Sequence, residues 1–520
     1  MKKNLIYKLL LASSFLLYSD FIYAAIDSNQ IASWMQKDGY LIFSDPVKLD
    51  TLDPIKSINA HSKFTLPLIY EPLITTNAQQ ELQPALAKSW RIIRDGKSVI
   101  ITLNPNHKFS DNTEVTAQDV VSSIYRLCSS NSQEYGQMRG LSGCREYNKK
   151  TSALPQVFAI DKYNVQFNIN TSATTFLYQL SSPSTVIAKK IYQGLIGSGI
   201  YVIAEKKADY LILNRNPYYR GSTPIKNLGI VMFYVNGHDA IQMLAKDKPD
   251  GALMYQMTTL NNSQNNHYRL IKTNPNITEI MVLNNQRFPF NKPEIRKALS
   301  SAIYNNFILS CIPGAHKAYG IIPNGIGGSL TNRMPDYLPE ITPSELFKKY
   351  PQLKNKKTLV TIHQLNDLKN ICESDQITTI AKRYNIDIQF KFHKDYSDLV
   401  PLYFNHNLDG FLDLYIFKNR EAYNIFEFFA KNSENDANLN QDTIDVILKE
   451  AVSTSSSHSR FQVYRRLAQY MQDENIVVPL FYMDHGNLIS KCLTGVTSDF
   501  VFNPFAELPK ISKIKYCQNT

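Results

Sequence analysis

Two spacings of apolar residues run through this chain, and together they set its class. Alternation with period two marks strands: in "SWRIIRDGKSVIITL", Val99, Ile101 and Leu103 face one way, and Asp95-Gly96 turns the chain back on itself as a hairpin. Other strand-like runs are "YLIF", "NVQFNI", "DYLILNRN", "GIVMFYV", "EIMVLNN", "TLVTIH", "FLDLYIF" and "IVVPLFY". Helical spacing marks the rest. In "HKFSDNTEVTAQDVVSSIYRL" (107–127), Ser110, Asp111 and Asn112 form a turn. Thr116 then caps a helix with Asp119 at its third position, and Val120, Val121, Ile124 and Leu127 share a face. In "NKPEIRKALSSAIYNNFI", Pro293 suits a first turn, and Ile295, Ala298, Leu299, Ala302 and Ile303 form the stripe. "TIDVILKEAV" is a short amphipathic helix. "SRFQVYRRLAQYMQ" opens with Ser459 and Gln462 as a capping box and buries Phe461, Tyr464, Leu467, Ala468 and Met471. Strands and helices interleave without a fixed repeat, so the class is mixed α/β with more than one sheet.

The first 24 residues read as an export signal: Lys2 and Lys3, an apolar run broken by Lys8, and Ala24 as the cleavage position. That run falls short of the ~20 residues a membrane span takes. Without the signal the chain still exceeds what one core fills, which stops growing near 250–300 residues, so two or more lobes are expected. The formal charge is +11, of which the signal contributes little. Export removes nucleic acid as a partner and leaves a solvated basic surface. The expected compartment is the periplasm. Its oxidising character makes the six cysteines, Cys128, Cys144, Cys311, Cys372, Cys492 and Cys517, disulfide partners. Six cysteines allow 15 pairings. Sequential pairing is expected, best supported for Cys128–Cys144 and Cys492–Cys517.

Catalytic and cofactor signatures do not appear. The sequence has no P-loop, GxSxG elbow, HExxH, or GxGxxG before a helix. "GSGIY" (197–201) leads into a strand, which argues against a phosphate cradle. The ten histidines are scattered, and His393 and His406 lack helical ligand spacing. Asp484-His485 would need an activated Ser or Cys to form a triad. Asp409 and Asp413 bracket a strand and are expected to be solvated and buried respectively. No cofactor, metal or enzymatic activity is expected.

"TLDP" (51–54), "IYEPL" (69–73), "PALAKSW" (84–90) and the 107–127 unit follow one another in a familiar order. With "GSGIYVI", "LILNRNPYYRG", "VLNNQRFPFNKPEIRKALSSAI" and "VVPLFY", they resemble bacterial extracellular solute-binding proteins of the oligopeptide, dipeptide and nickel family. Asn112 stands where that family commonly has glycine. The resemblance implies a two-lobe periplasmic-binding-protein fold, type II-like, with an extra inserted subdomain and a two-crossing hinge. Lobe I would comprise residues 25–66, 194–283 and 487–520, the insertion 67–193, and lobe II 284–486. The hinge would cross near Leu283-Asn284 and between Asp484 and Asn487.

By position in the family, Glu71 beside Tyr70, Tyr255, Gln256, Tyr415, Tyr482 and His485 would touch ligand. Peptide-carrying relatives have an "A-D-Y-x-D-P" segment whose aspartate pairs with the peptide amine; here Asn419 holds that position, with Lys418 and Arg420 beside it. An amide lacks the charge-assisted bond that an ammonium prefers. Either Asp413 or Glu421 replaces the aspartate, or the ligand brings negative charge to Arg420. The function implied is a monomeric periplasmic binding component of an ABC importer, delivering peptides or peptide-like molecules to an inner-membrane permease. The alternatives are a nickel or metal-complex carrier on the same fold, and an envelope enzyme or partner-binding protein derived from it.

Overall fold

The computed structural model describes residues 39–514 except 50, 58–59, 78–80, 130–131, 133–137, 139, 172, 193, 236, 257–265, 273–276, 313, 331–337, 366–370, 394–401, 403–407, 418–421, 428, 431–441, 455, 498–499 and 501–503. The chain enters through β1 (Tyr40–Asp45) and α1 (Ala60–Ile69), then builds a separate four-stranded unit. That unit holds β2 (Ala87–Ile93), β3 (Ser98–Leu103), α2 (Ala117–Cys128), β4 (Val157–Ala159), β5 (Asn164–Asn168) and α3 (Ala173–Gln179). The chain returns as β6 (Tyr201–Lys206), β7 (Tyr210–Arg215), β8 (Gly229–Tyr234), α4 (Gly237–Lys246), β9 (Gly251–Gln256) and β10 (Tyr268–Lys272). It then crosses into β11 (Ile277–Leu283), α5 (Pro293–Asn306), β12 (Ala315–Lys317), β13 (Thr358–Leu365), α6 (Ile371–Lys382), β14 (Ile386–His393) and β15 (Gly410–Ile416). After α7 (Asp442–Ser453), α8 (Ser457–Asp473) and β16 (Val477–Met483), it recrosses into β17 (His485–Ser490).

Two sheets carry the lobes. The first is seven-stranded in the order β6-β7-β8-β1-β9-β17-β10, and the second six-stranded in the order β12-β16-β11-β15-β13-β14. β11 pairs along its whole length with β15 and is also paired to β16. The first crossing therefore lies between Lys272 and Ile277, not near Leu283-Asn284. The resemblance assigns "EIMVLNN" to lobe I, whereas its pairing places it in the second sheet, because pairing partners are invisible in sequence. The second crossing is Asp484, between β16 and β17.

Each sheet buries both faces. In the first, Leu41 and Phe43 pack on the α1 side with Phe64 and Leu68, while Ile42 packs with Ala240 and Leu244 of α4. In the second, Ile277, Met281 and Leu283 pack with Ile295 and Leu299 of α5 and Ile377 of α6. Ile280 and Val282 pack with Ile444 of α7 and Leu467 of α8. The inserted unit has its own core of Val99, Ile101, Val120, Ile124 and Phe167.

The motifs of the inserted unit are joints. The Asp119 carboxylate accepts both the Thr116 backbone N–H (2.9 Å) and its hydroxyl (2.6 Å), fixing the start of α2. Asn112 sits at φ 69°, a left-handed position that glycine or asparagine tolerates best. α8 starts one turn earlier than its sequence indicates, with Ser456 accepting from the Ser459 N–H. Tyr464, Leu467, Ala468 and Met471 are buried as its periodicity requires, and Phe461 partly so. Cys128 is bonded to Cys144, and Cys372 and Cys492 are also disulfide-bonded. The Cys311 side chain and Cys517 lie outside the described residues.

"GSGIY" is a packing device. Gly199 N–H donates to Ile69 O (2.9 Å), and the Asn216 side chain donates to Gly199 O (2.8 Å). A Cβ on Gly199 would stand 2.4 Å from the Ile69 carbonyl carbon. Gly199→Ala is expected to cost roughly 1–3 kcal/mol, the scale of overpacking a tight site, read as a lower melting temperature; an unchanged melting temperature contradicts the contact.

The second lobe buries two carboxylates together, Glu279 of β11 and Glu373 of α6. Burial, then the neighbouring Glu373 and Asp413 charges, pushes Glu279 well above the usual carboxylate range. Burial raises Glu373 to about 8. The folded protein thus holds protons that the unfolded chain releases near 4.5, so this pair's contribution to stability falls as pH rises from there to about 8. The urea midpoint is expected to drop over that window, and Glu373→Gln to flatten the drop. Each tenfold change in proton affinity is worth about 1.4 kcal/mol, so the effect is a few kcal/mol at most. A wild-type midpoint independent of pH would contradict protonated, buried carboxyls at this pair.

Candidate functional site

Both lobes present the same kind of edge to the hinge. β1, β8 and β9 are parallel and end at Asp45, Tyr234 and Gln256. β13, β14 and β15 are parallel and end at Leu365, His393 and Ile416. Ile416 lies opposite Ile277 and Gln256 opposite His485, so both crossings leave from these carboxyl edges. In open α/β sheets the crevice outside the strand carboxyl ends is the ordinary ligand site.

Four buried polar atoms lie there. Tyr234 OH, Thr278 Oγ1, Asp484 Oδ1 and Asn487 Nδ2 are buried and make no hydrogen bond among the described residues. Burial, then the charge of Asp45, holds the Tyr234 phenol well above its ordinary value. Native proteins seldom leave such groups unsatisfied, and each calls for an explanation. β9 is irregular at this edge. Met254 takes φ 59° in a bulge and its N–H donates to Asn487 Oδ1 (2.9 Å), a device that re-aims the residues after it.

The expected ligand residues divide into several groups. Tyr482, Thr278 and Tyr415 form one cross-strand row beside the crossings. Tyr415 stands edge-on to Phe417, with ring centroids 4.9 Å apart. The Tyr482 hydroxyl lies 2.9 Å from Gly320 O and 3.0 Å from Ile322 O, and accepts the Tyr319 N–H (3.1 Å), so it ties down the 319–322 loop. Tyr255 is buried among the residues facing α4 and donates to Val235 O (2.7 Å). Glu71 is buried at the root of the inserted unit, its carboxylate 3.6 Å from His107 Nδ1. Asn419, Arg420 and Glu421, and the side chains of Gln256 and His485, lie outside the described residues.

Asp413, half-buried, sits two residues before Tyr415 on β15, and burial raises its carboxyl to about 6 against the Leu414 N–H that holds it down. At the crossing, Asp484 Oδ2 bonds His316 Nε2 at 2.8 Å.

Sequence spacing hid one pair. His363 Nδ1 and His393 Nε2 lie 2.8 Å apart near the ends of β13 and β14, thirty positions apart in sequence and brought together by parallel register. Their ring centroids are 5.0 Å apart, which is the nitrogen separation plus the two ring radii. The rings therefore meet edge to edge around one shared proton, leaving no room for a metal ion between those nitrogens. Burial, then His393 and Lys391, presses the His363 imidazole down to about 4. Among the described residues no three His, Cys, Asp or Glu side chains form a group able to hold a metal. No described helix is long and apolar enough to cross a membrane.

Known proteins resemble the whole chain. It is 24% identical over 507 residues to the probable D,D-dipeptide-binding periplasmic protein DdpA of Escherichia coli, covering 90% of this chain and 92% of that one. The Escherichia coli nickel-binding periplasmic protein is 26% identical over half of each chain. Among solved structures, the periplasmic binding protein DppA of Helicobacter pylori, in complex with the peptide STSA, superposes with a TM-score of 0.75 at 17% identity. That match covers 93% of this chain and all of that one. The sequence model of the bacterial extracellular solute-binding proteins, family 5 Middle, matches residues 81–436, and the chain belongs to that family.

Proposed function

We propose that the protein captures peptides or peptide-like solutes in the periplasm by closing its two lobes and hands them to an inner-membrane ABC importer. The observation that carries this reading is the set of unsatisfied polar atoms, Tyr234 OH, Thr278 Oγ1, Asp484 Oδ1 and Asn487 Nδ2, on the two carboxyl edges that flank the hinge. A peptide backbone offers donors and acceptors that such a set can satisfy, directly or through water, while side chains occupy looser pockets. The names of the relatives, dipeptide- and oligopeptide-binding, support the same ligand class. Asp413, beside Thr278 and Tyr415 in the second sheet, takes the role of the aspartate missing at position 419 and meets the ligand ammonium.

Native mass spectrometry of freshly exported protein is expected to release a peptide-like molecule on unfolding. Recovery of a nickel complex instead would favour the metal-carrier reading. Turnover of a peptide or cell-wall fragment would favour an enzyme.

Asp413 is neutral below about 6, so binding of an amine-bearing ligand should strengthen as pH rises through that value. With the released compound, Asp413→Asn should remove this pH dependence and weaken binding about 10- to 150-fold at pH 7.5, the range for a hydrogen bond to a charged group. Calorimetry that finds Asp413→Asn binding with unchanged affinity at both pH values would rule out the assignment.

A further inference from the structure

The inserted unit and the second lobe belong to different sheets, yet they touch at a place remote in sequence from both crossings. α3 of the inserted unit packs against α7 of the second lobe. Beside that contact Arg460, in the first turn of α8, lays its guanidinium on the face of Tyr178 in α3, with Cζ 5.0 Å from the ring centroid. One Arg460 terminal nitrogen reaches the Tyr178 hydroxyl at 3.5 Å, and the other donates to Thr454 O at 3.1 Å. Arg460 is only 3% exposed, whereas Tyr178 is half-buried. A guanidinium so placed has exchanged much of its water for an aromatic face and a carbonyl. Separating the two helices returns that face to solvent.

From this geometry we infer that Tyr178 and Arg460 form a clasp that holds the inserted unit against the second lobe, and that opening of the cleft breaks it. The inference rests on the lobe-closure reading for its consequence, though the contact itself is on neither sheet nor hinge. β10–β11 and β16–β17 carry the only strand crossings between the two sheets among the described residues. A lobe rotation about them moves α8 relative to α3, because α3 is tied to the first lobe through its own unit. The clasp is therefore a positioning element: it biases the protein toward the closed arrangement before ligand arrives and slows release afterwards. A cation over an aromatic ring is worth enough to shift such an equilibrium between about 2- and 30-fold.

Hydrogen–deuterium exchange on the full, ligand-free chain tests this with Arg460→Ala and Tyr178→Phe, each checked for an unchanged melting transition. Tyr178→Phe keeps the ring and tests the hydroxyl alone, and it is the fallback should Arg460→Ala not fold. The expected result for Arg460→Ala is faster exchange of amides in 173–179, across the gap from the substitution, by about 2- to 30-fold, with a smaller rise for Tyr178→Phe. A merely local role for Arg460 would raise exchange within α8 and leave 173–179 untouched, and that outcome overturns the clasp. A separate arm adds a mixed tripeptide pool to the wild type and follows amides of 277–283 and 485–490. No protection there counts against peptide-driven closure, whatever the two variants do.

Discussion

Two strand crossings, Lys272 to Ile277 and Met483 through Asp484 to His485, join two sheets that are otherwise cored independently. Each sheet buries apolar residues on both faces against its own helices. Neither lobe therefore needs the other to fill its core. Relative rotation changes backbone torsions at the crossings and the few contacts that bridge the gap, and leaves the densely packed cores intact. On the proposed reading, that arrangement would let a ligand's differential affinity for a closed form do mechanical work against intact cores.

The chemistry of the edges fits this mechanical picture. Polar atoms that stay buried without partners are destabilising by about 1–3 kcal/mol each. Those at the crossings, in Tyr234, Thr278, Asp484 and Asn487, are tolerable where a guest or water completes them. The bulge at Met254 has the same logic: a residue held in the left-handed region by Asn487 is strain kept at a working edge rather than spread through the sheet. The Tyr178–Arg460 contact adds a second point of adhesion away from the hinge.

Local structure was legible from the residues because it depends on local chemistry. The hairpin at Asp95-Gly96, the Thr116–Asp119 cap and the buried stripe of Ile295, Leu299 and Ile303 follow from turn preference, capping and period alone. The recurring family segments were legible too, and their reason is now physical: "GSG" and "RNP" lie together because Asn216 binds Gly199. What depends on pairing was not legible. The membership of Ile277–Leu283 in the second sheet, the meeting of His363 with His393, and the approach of Arg460 to Tyr178 are all consequences of register and long-range packing. Residues expected at the site by position lie in different surroundings for the same reason. Tyr415 and Tyr482 share a row through Thr278, whereas Tyr255 turns into the first lobe toward Val235, a direction that the bulge at Met254 sets and no spacing announces.

The decisive claim is that a small molecule draws two rigid bodies together about those crossings. Small-angle scattering of the exported protein, recorded with its natural ligand bound and again after the ligand is stripped by unfolding and refolding, measures this directly. The expected result is a larger radius of gyration for the stripped protein that returns to the original value when the ligand is restored. Superimposable curves in the two states would contradict it.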